Sequence, residues 1–227
     1  MVVVRDFERP DGETIDALDD SDSASVHEAL GERTAMDPEI GPINEEVRVC
    51  GPACTVRVPP GDNAMVHLAS DLAEPGDVLV VATESRRAAV WGELLTRNAK
   101  RRGLGGVVTD GNVRDTDHLA ESEFPVFSAA VSQAGAVKET PGSVNVPVSV
   151  GGVAVRPGDV VVGDRDGVTV VPRETADATA AAAADVADHE ADLRERIDGG
   201  ETLADLLGVH DMIDDADVRV VDSPDDV

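Results

Sequence analysis

At 227 residues the chain is long enough for one sizeable hydrophobic core, and its 41% hydrophobic content rests on valine and alanine, with three Phe, one Trp and no Tyr. A formal net charge of -27, from 46 acidic against 19 basic residues, argues against nucleic acid or anionic membrane as a partner, because a phosphate field would repel such a surface. Only Lys100 and Lys138 are lysines, and a folded, very acidic, lysine-poor chain suits a salt-saturated cytoplasm where self-repulsion is screened.

The opening MVVVRDFERPDG has too short an apolar block for a signal peptide or a membrane span. Residues 1–23 read as an acidic, irregular segment, 24–210 as a single domain, and 211–227 as a loosely held acidic tail. SVHEALGERTAM predicts a short helix, broken by MDPEIGPI. VRVCGPACTVRV alternates like a strand pair about Gly51-Pro52. Its Cys50 and Cys54 lack further ligands at zinc spacing and are expected as buried, reduced thiols of a cytosolic protein.

NAMVHLASDLA has helical apolar spacing at Met65, Leu68 and Leu72, and EPGD follows as a turn. VLVVA is a continuous apolar run of the kind buried on both faces. AAVWGELLTRNAKRRG predicts a helix with Leu94, Leu95 and Ala99 inward and Gly103 as its stop. GVVTD and FPVFSA read as strands, so the order from Val78 to Val108 is a parallel crossover unit. VPVSVGGVAVRPGDVVVGDRDGVTVVP, punctuated by Gly, Pro and Asp, predicts antiparallel strands. ETADATAAAAADVADHEADLRERIDGGETLADLLG predicts a long helix followed by a shorter one.

In open α/β sheets ligands collect at the carboxyl ends of parallel strands. Two such ends stand out: the loop before Trp91-Gly92-Glu93 and the TDGNVRD loop. If they are neighbours, the amides of Gly92, Glu93, Leu94 and Leu95 face Arg114 and Asp115. Free amides at a helix start favour a carboxylate or phosphate, and an arginine can grip a carboxylate or enolate oxygen with two donors. Asp115, with Glu93 and Asp110 as possible companions, offers the few hard oxygens that Mg²⁺ prefers within a mostly water-filled shell. Spacing leaves a second reading open, in which Arg114-Asp115 is a solvated surface ion pair and Asp110-Gly111 a turn. His118 lies near Arg114 as an acid–base candidate or an exposed loop histidine. GxSxG, phosphate-loop and dinucleotide fingerprints are absent.

The blocks GPACTV, PGDVLVV, WGELLTRNAKRRGLGGVVTDGNVRD, PVF, VNVPVSVGGVAVRPGDVVVGDRDGVTVVP and GETLADLLG occur in that order over roughly residues 25 to 210. Together they resemble the family that holds the class II 4-hydroxy-4-methyl-2-oxoglutarate aldolases and the regulator of ribonuclease E activity. The resemblance implies an α/β/α sandwich similar to the phosphohistidine swivelling domain, with a β-rich second half and a C-terminal helix, assembled as homotrimers or homohexamers. It implies that Arg114 binds the pyruvyl group, that Asp115 ligates Mg²⁺ or Mn²⁺, and that Glu93 holds metal-bound water. It further implies that the amides of Gly92 to Leu95 take the substrate carboxylate, and that Glu190 of a neighbouring subunit completes the metal shell through water. The implied activity is retro-aldol cleavage of a 4-hydroxy-2-oxo acid to pyruvate, with oxaloacetate decarboxylation through the same enolate. A non-catalytic regulator that binds a partner protein is the alternative. Glu93 departs from the aspartate expected in the aldolases, and its longer side chain would shift what it holds. A phosphohistidine carrier is rejected because VGGVAVRPG has no histidine, and a methyltransferase because no glycine-rich cofactor loop follows a first strand.

Overall fold

The computed structural model describes residues 1–31, 34–44, 47–216, 218–221 and 223. Glu32 and Arg33, inside the stretch read as the first helix, and residues 224–227 of the acidic tail lie outside the described residues. The strands in chain order are β1 (Gly41–Pro42), β2 (Val49–Val58), β3 (Val78–Thr83), β4 (Ala89–Trp91), β5 (Gly106–Val113), β6 (Val126–Val131), β7 (Ser143–Val144), β8 (Val148–Val150), β9 (Val153–Val155), β10 (Val160–Asp164) and β11 (Gly167–Val171). The helices are α1 (Gly12–Asp19), α2 (Ser23–Leu30), α3 (Ala64–Leu72), α4 (Glu93–Arg102), α5 (Thr116–Ala120), α6 (Ala176–Asp198), α7 (Leu203–Leu206) and α8 (Val209–Asp215).

The chain divides into Met1–Ala184, which carries all the strands, and Asp185–Val227, which carries the end of α6 with α7 and α8. The first unit is an α/β fold. Its main sheet runs β1-β6-β5-β3-β2-β10-β11, with β4 also on β5 and β7 also on β2. β2, β3, β5 and β6 are mutually parallel, and β10 and β11 extend the sheet antiparallel. The expected crossover is β3–α4–β5.

The apolar runs make this sheet because both of its faces are covered. Leu79 and Val81 of β3 enter one core with Cys54, Val56, Trp91, Leu95 and Val107. Val78 and Val80, pointing the other way, enter a second core with Val108, Phe127, Val150 and Val161. A third packs Leu18 of α1 and Val26 of α2 on Val160, Val162 and Val171, closed by Ala176, Ala180 and Ala183 along one face of α6. Small alanine side chains let that helix sit close to a valine surface, so the chain manages with little aromatic bulk.

Four expectations change. VRVCGPACTVRV is one ten-residue strand and not a strand pair. Gly51 answers a close approach instead of a turn, since a Cβ there would lie 2.3 Å from the carbonyl oxygen of Gly76. Both thiols therefore sit along β2, free, with burial pushing Cys50 and Cys54 up to about 12. The N-terminal segment is irregular only as far as Asp11, which caps helix α1 by accepting from the amide of Thr14, and even there Val4 N–H donates to Val144 O at 3.1 Å. AVW forms strand β4 and is not the first turn of the helix. Leu94 points outward, 76% exposed, while Leu95 and Ala99 face inward as expected. The VGGV segment makes the β8–β9 hairpin, with Gly151 and Gly152 both at positive φ as its two-residue turn requires.

Candidate active site

The site forms where two neighbouring parallel strands end. β4 pairs with β5 through Ala89↔Asn112 and Trp91↔Val113, which sets Gly92 beside Arg114. Arg114 N–H donates to Trp91 O at 3.1 Å, locking the two strand ends together. Trp91 is buried, stacks on Phe124 with ring centroids 6.0 Å apart, and donates Nε1–H to Thr96 Oγ1 at 2.7 Å. The Thr96 hydroxyl in turn donates to Gly92 O at 3.2 Å, so strand β4 and the first turn of α4 are fixed as one piece.

Gly92 is extended (φ -176, ψ -168), a conformation any residue adopts, so its need for glycine is spatial. A Cβ there would lie 2.7 Å from Asp115 Oδ2 and 3.1 Å from Arg114 Cγ. Gly92→Ala is therefore expected to displace both side chains and reduce ligand binding at this cleft, while β4–β5 pairing survives. Comparing thermal melting with ligand affinity in the variant checks this.

Asp115 occupies the left-handed region at φ 59, ψ 40, a conformation that Asp tolerates at some cost. It stands at the N-cap of α5, yet its side chain makes no cap bond there. Oδ2 turns instead to α4, accepting from Glu93 N at 3.1 Å and lying 3.5 Å from Arg114 Nε. The Glu93 amide is thus used internally, leaving Leu94 and Leu95 in a first turn that has no intrahelical acceptors of its own. Glu93 Oε1 accepts from Arg97 Nε at 2.8 Å, one turn along, and lies 3.9 Å from His118 Nδ1.

Asp110 is settled by its position. It sits inside β5, at the bulge between Thr109 and Asn112 where the β5–β6 register shifts, and accepts from Thr83 N at 2.8 Å. Burial raises its pKa above the usual carboxylate range. It ties β5 to β3 and is no turn residue.

Arg114 and Asp115 line a cleft of about 110 Å³ together with Trp91, Gly92, Leu94 and Leu95. A wider hollow of about 500 Å³ adjoins it through the same Arg114 and Asp115 and is lined also by His118 and Gln133. Asn63, His67 and Lys138, which sequence reasoning did not assign to the site, also line the cleft. Burial first, then Lys138, lowers the pKa of His67, which favours its neutral form. Gly135 backs the arginine, since a Cβ there would lie 2.7 Å from Arg114 Nη1. Only the lysine carried a signal, as one of two in an acidic chain. Glu190 lies in the Asp185–Val227 unit, where it pairs with Arg194 one turn along α6.

Among the described residues no three His, Cys, Asp or Glu side chains converge as a metal cage. What the site offers a cation is the Asp115 carboxylate with Glu93 beside it, both partly exposed. That sparse oxygen set fits Mg²⁺ or Mn²⁺, which keep most of their waters, and does not fit a zinc-type cage.

Comparison with known proteins gives this α/β architecture a family. The family model described as RraA-like, Aldolase/RraA, matches residues 16–170, and the chain belongs to the RraA-like family. It is 42% identical over 149 residues to a protein of Halalkalibacterium halodurans provisionally named 4-hydroxy-4-methyl-2-oxoglutarate aldolase, covering 65% of this chain and 71% of that one. An uncharacterized protein from Pseudomonas syringae pv. tomato superposes with a TM-score of 0.80 at 29% identity, over 88% of this chain and 95% of that one. Streptomyces coelicolor RraAS2, described as an unusual member of the RNase ES inhibitor RraA protein family, superposes at 0.74 with 33% identity, over 83% of this chain and 99% of that one. Among the described residues no helix is long and apolar enough to cross a membrane.

Proposed function

We propose that this chain is a carbon–carbon lyase that cleaves a 4-hydroxy-2-oxo acid, of the 4-hydroxy-4-methyl-2-oxoglutarate kind, to pyruvate, and decarboxylates oxaloacetate through the same enolate. The observation that carries the reading is the side-by-side placement of Arg114 and Asp115 against the start of α4, inside one cleft. The first-turn amides of Leu94 and Leu95 receive the carboxylate of the 2-oxo acid, aided by the positive end of the helix. Arg114 donates to the 2-oxo oxygen, where negative charge grows as the C3–C4 bond breaks and its electron pair moves into the enolate. The C4 hydroxyl loses its proton and becomes the carbonyl of the second product; a proton delivered to C3 then yields pyruvate. A divalent ion held by Asp115, with Glu93 beside it, would supply Lewis-acid polarisation of the same oxygen. In this reading the chain works as a homotrimer or homohexamer, with Glu190 reaching a neighbouring copy's site.

The test is pyruvate release from oxaloacetate and from 4-hydroxy-4-methyl-2-oxoglutarate, with Mg²⁺ or Mn²⁺, in high salt. Asp115→Asn keeps a residue that tolerates the left-handed backbone and an oxygen for the Glu93 amide, but removes the charge. It is expected to fold normally, lose Mn²⁺ binding in a calorimetric titration, and lose activity by about 100-fold or more. A metal-loaded wild type inert on both substrates would sink the lyase reading. The similarity to RraAS2 supports a second reading, a non-catalytic regulator, which a stoichiometric protein partner together with absent metal binding would favour.

A further inference from the structure

The lining of the cleft includes a residue, Asn63, whose side-chain oxygen is unaccounted for. Asn63 stands at the N-cap of α3, the position where an asparagine ordinarily accepts from an amide of its own first turn. It makes no such bond. The cap duty falls to its neighbour Asp62, which accepts from Ala64 N at 2.7 Å and from the amides of Glu139 and Thr140 at 2.7 Å each. Asn63 Nδ2 instead crosses to β4 and donates to Val90 O at 3.0 Å.

That bond fixes which way the amide faces, since only the nitrogen can meet a carbonyl oxygen. Oδ1 is left without a hydrogen-bond partner among the described residues and is itself almost wholly buried, on a residue 7% exposed that lines the cleft. Its backbone is equally constrained, with N–H donating to Val137 O at 3.0 Å. Asp115, which lines the same cleft, is likewise an N-cap residue that makes no cap bond to its own helix, but its Oδ2 accepts from Glu93 N. A buried carbonyl oxygen without a partner is costly, and a ligand that brings a donor recovers that cost.

We propose that Asn63 is a specificity-determining residue whose Oδ1 accepts the hydrogen bond of a ligand hydroxyl, selecting 2-oxo acids that carry one over those that do not. The inference rests on the lyase reading above. In that reading Arg114 and the α4 amides take the 2-oxo acid end, which oxaloacetate shares, so the hydroxyl at C4 is the group left for Asn63. Oxaloacetate has no C4 hydroxyl and makes no use of Oδ1.

The experiment compares wild type and Asn63→Ala on two substrates, 4-hydroxy-4-methyl-2-oxoglutarate and oxaloacetate, under identical metal and salt. The expected result is that kcat/KM for the hydroxylated acid falls about 10-fold or more beyond whatever fall oxaloacetate shows, since the loss of the Nδ2–Val90 bond acts on both substrates alike. The oxaloacetate arm also shows that the variant is folded. If both activities fall together, Asn63 merely supports β4 through Val90, and the inference is overturned while the lyase reading stands. A wild type inert on both substrates overturns both. Should Asn63→Ala fail to fold, the wild type decides: 4-hydroxy-2-oxoglutarate should compete with oxaloacetate at least about 10-fold more tightly than 2-oxoglutarate does, and equal inhibition overturns the proposal.

Discussion

Replacing Arg114 by alanine is expected to lower kcat/KM for pyruvate release by about 100-fold or more, with little change in thermal stability. The two halves of that statement have separate causes. The guanidinium is half exposed and lies 3.5 Å from Asp115 Oδ2, so as a surface ion pair it contributes little to folding. Its position is nevertheless set from three sides: its own amide is bonded to Trp91 O, Gly92 leaves room for its Cγ, and Gly135 leaves room for Nη1. A side chain placed this closely but weakly bonded within the protein is suited to hydrogen-bond a ligand oxygen. Arg114→Lys keeps the charge and loses the planar fork, so it should recover only a small part of the activity. Activity in Arg114→Ala within about 3-fold of wild type would remove the arginine from the mechanism.

Arg9→Ala is expected to cost about 3 kcal/mol of stability, the largest effect of any single change considered away from the cleft. Asp77 is 1% exposed, and Arg9 meets both of its oxygens, Nε to Oδ1 at 2.8 Å and Nη2 to Oδ2 at 2.9 Å. Those bonds raise the Arg9 pKa well above its ordinary value. The guanidinium also lies over the Phe7 ring, 3.9 Å from its centroid. Without the arginine, Asp77 keeps, among the described residues, the Glu74 amide bonded at 2.8 Å, and is left as an uncompensated buried charge. For a chain of this size the loss amounts to roughly 6–12 °C in melting temperature. Because the pair is largely buried, high salt should leave the effect in place. Adding Asp77→Asn to Arg9→Ala removes the stranded charge and should restore part of the loss; a double variant no more stable than Arg9→Ala contradicts this account.

The strands and helices with strong periodicity were legible in the sequence. VLVVA is buried on both faces as its unbroken apolar run requires, and the alanine spacing of α6 buries Ala176, Ala180 and Ala183. The helix α1 was also within reach, since Asp11 followed by a first turn containing Glu13 is a cap signal. Strand β4 was not. AVW has three residues and runs straight into a helix, so its extended state depends on Asn112 and Val113 offering ladder partners more than twenty residues later. Leu94 turns outward because Leu95, Thr96 and Ala99 take the inward face of α4, and the residue before Leu95 lies about 100° round the helix from it.

Composition, charge and ordered motif blocks were sufficient to determine an acidic α/β chain, its parallel crossover, its family, and Arg114, Asp115 and Gly92 as residues worth watching. Those properties are written in local patterns, where neighbours along the chain decide. Tertiary structure alone decided that β4 and β5 end side by side, that Asp115 turns away from its own helix to meet Glu93, and that Asn63, His67 and Lys138 join the lining of the cleft. Each of these depends on which strand lies next to which, and on where a hydrogen bond finds its partner across tens of residues of sequence. Side-chain type and spacing do not carry that information, because the packing of the whole sheet sets it.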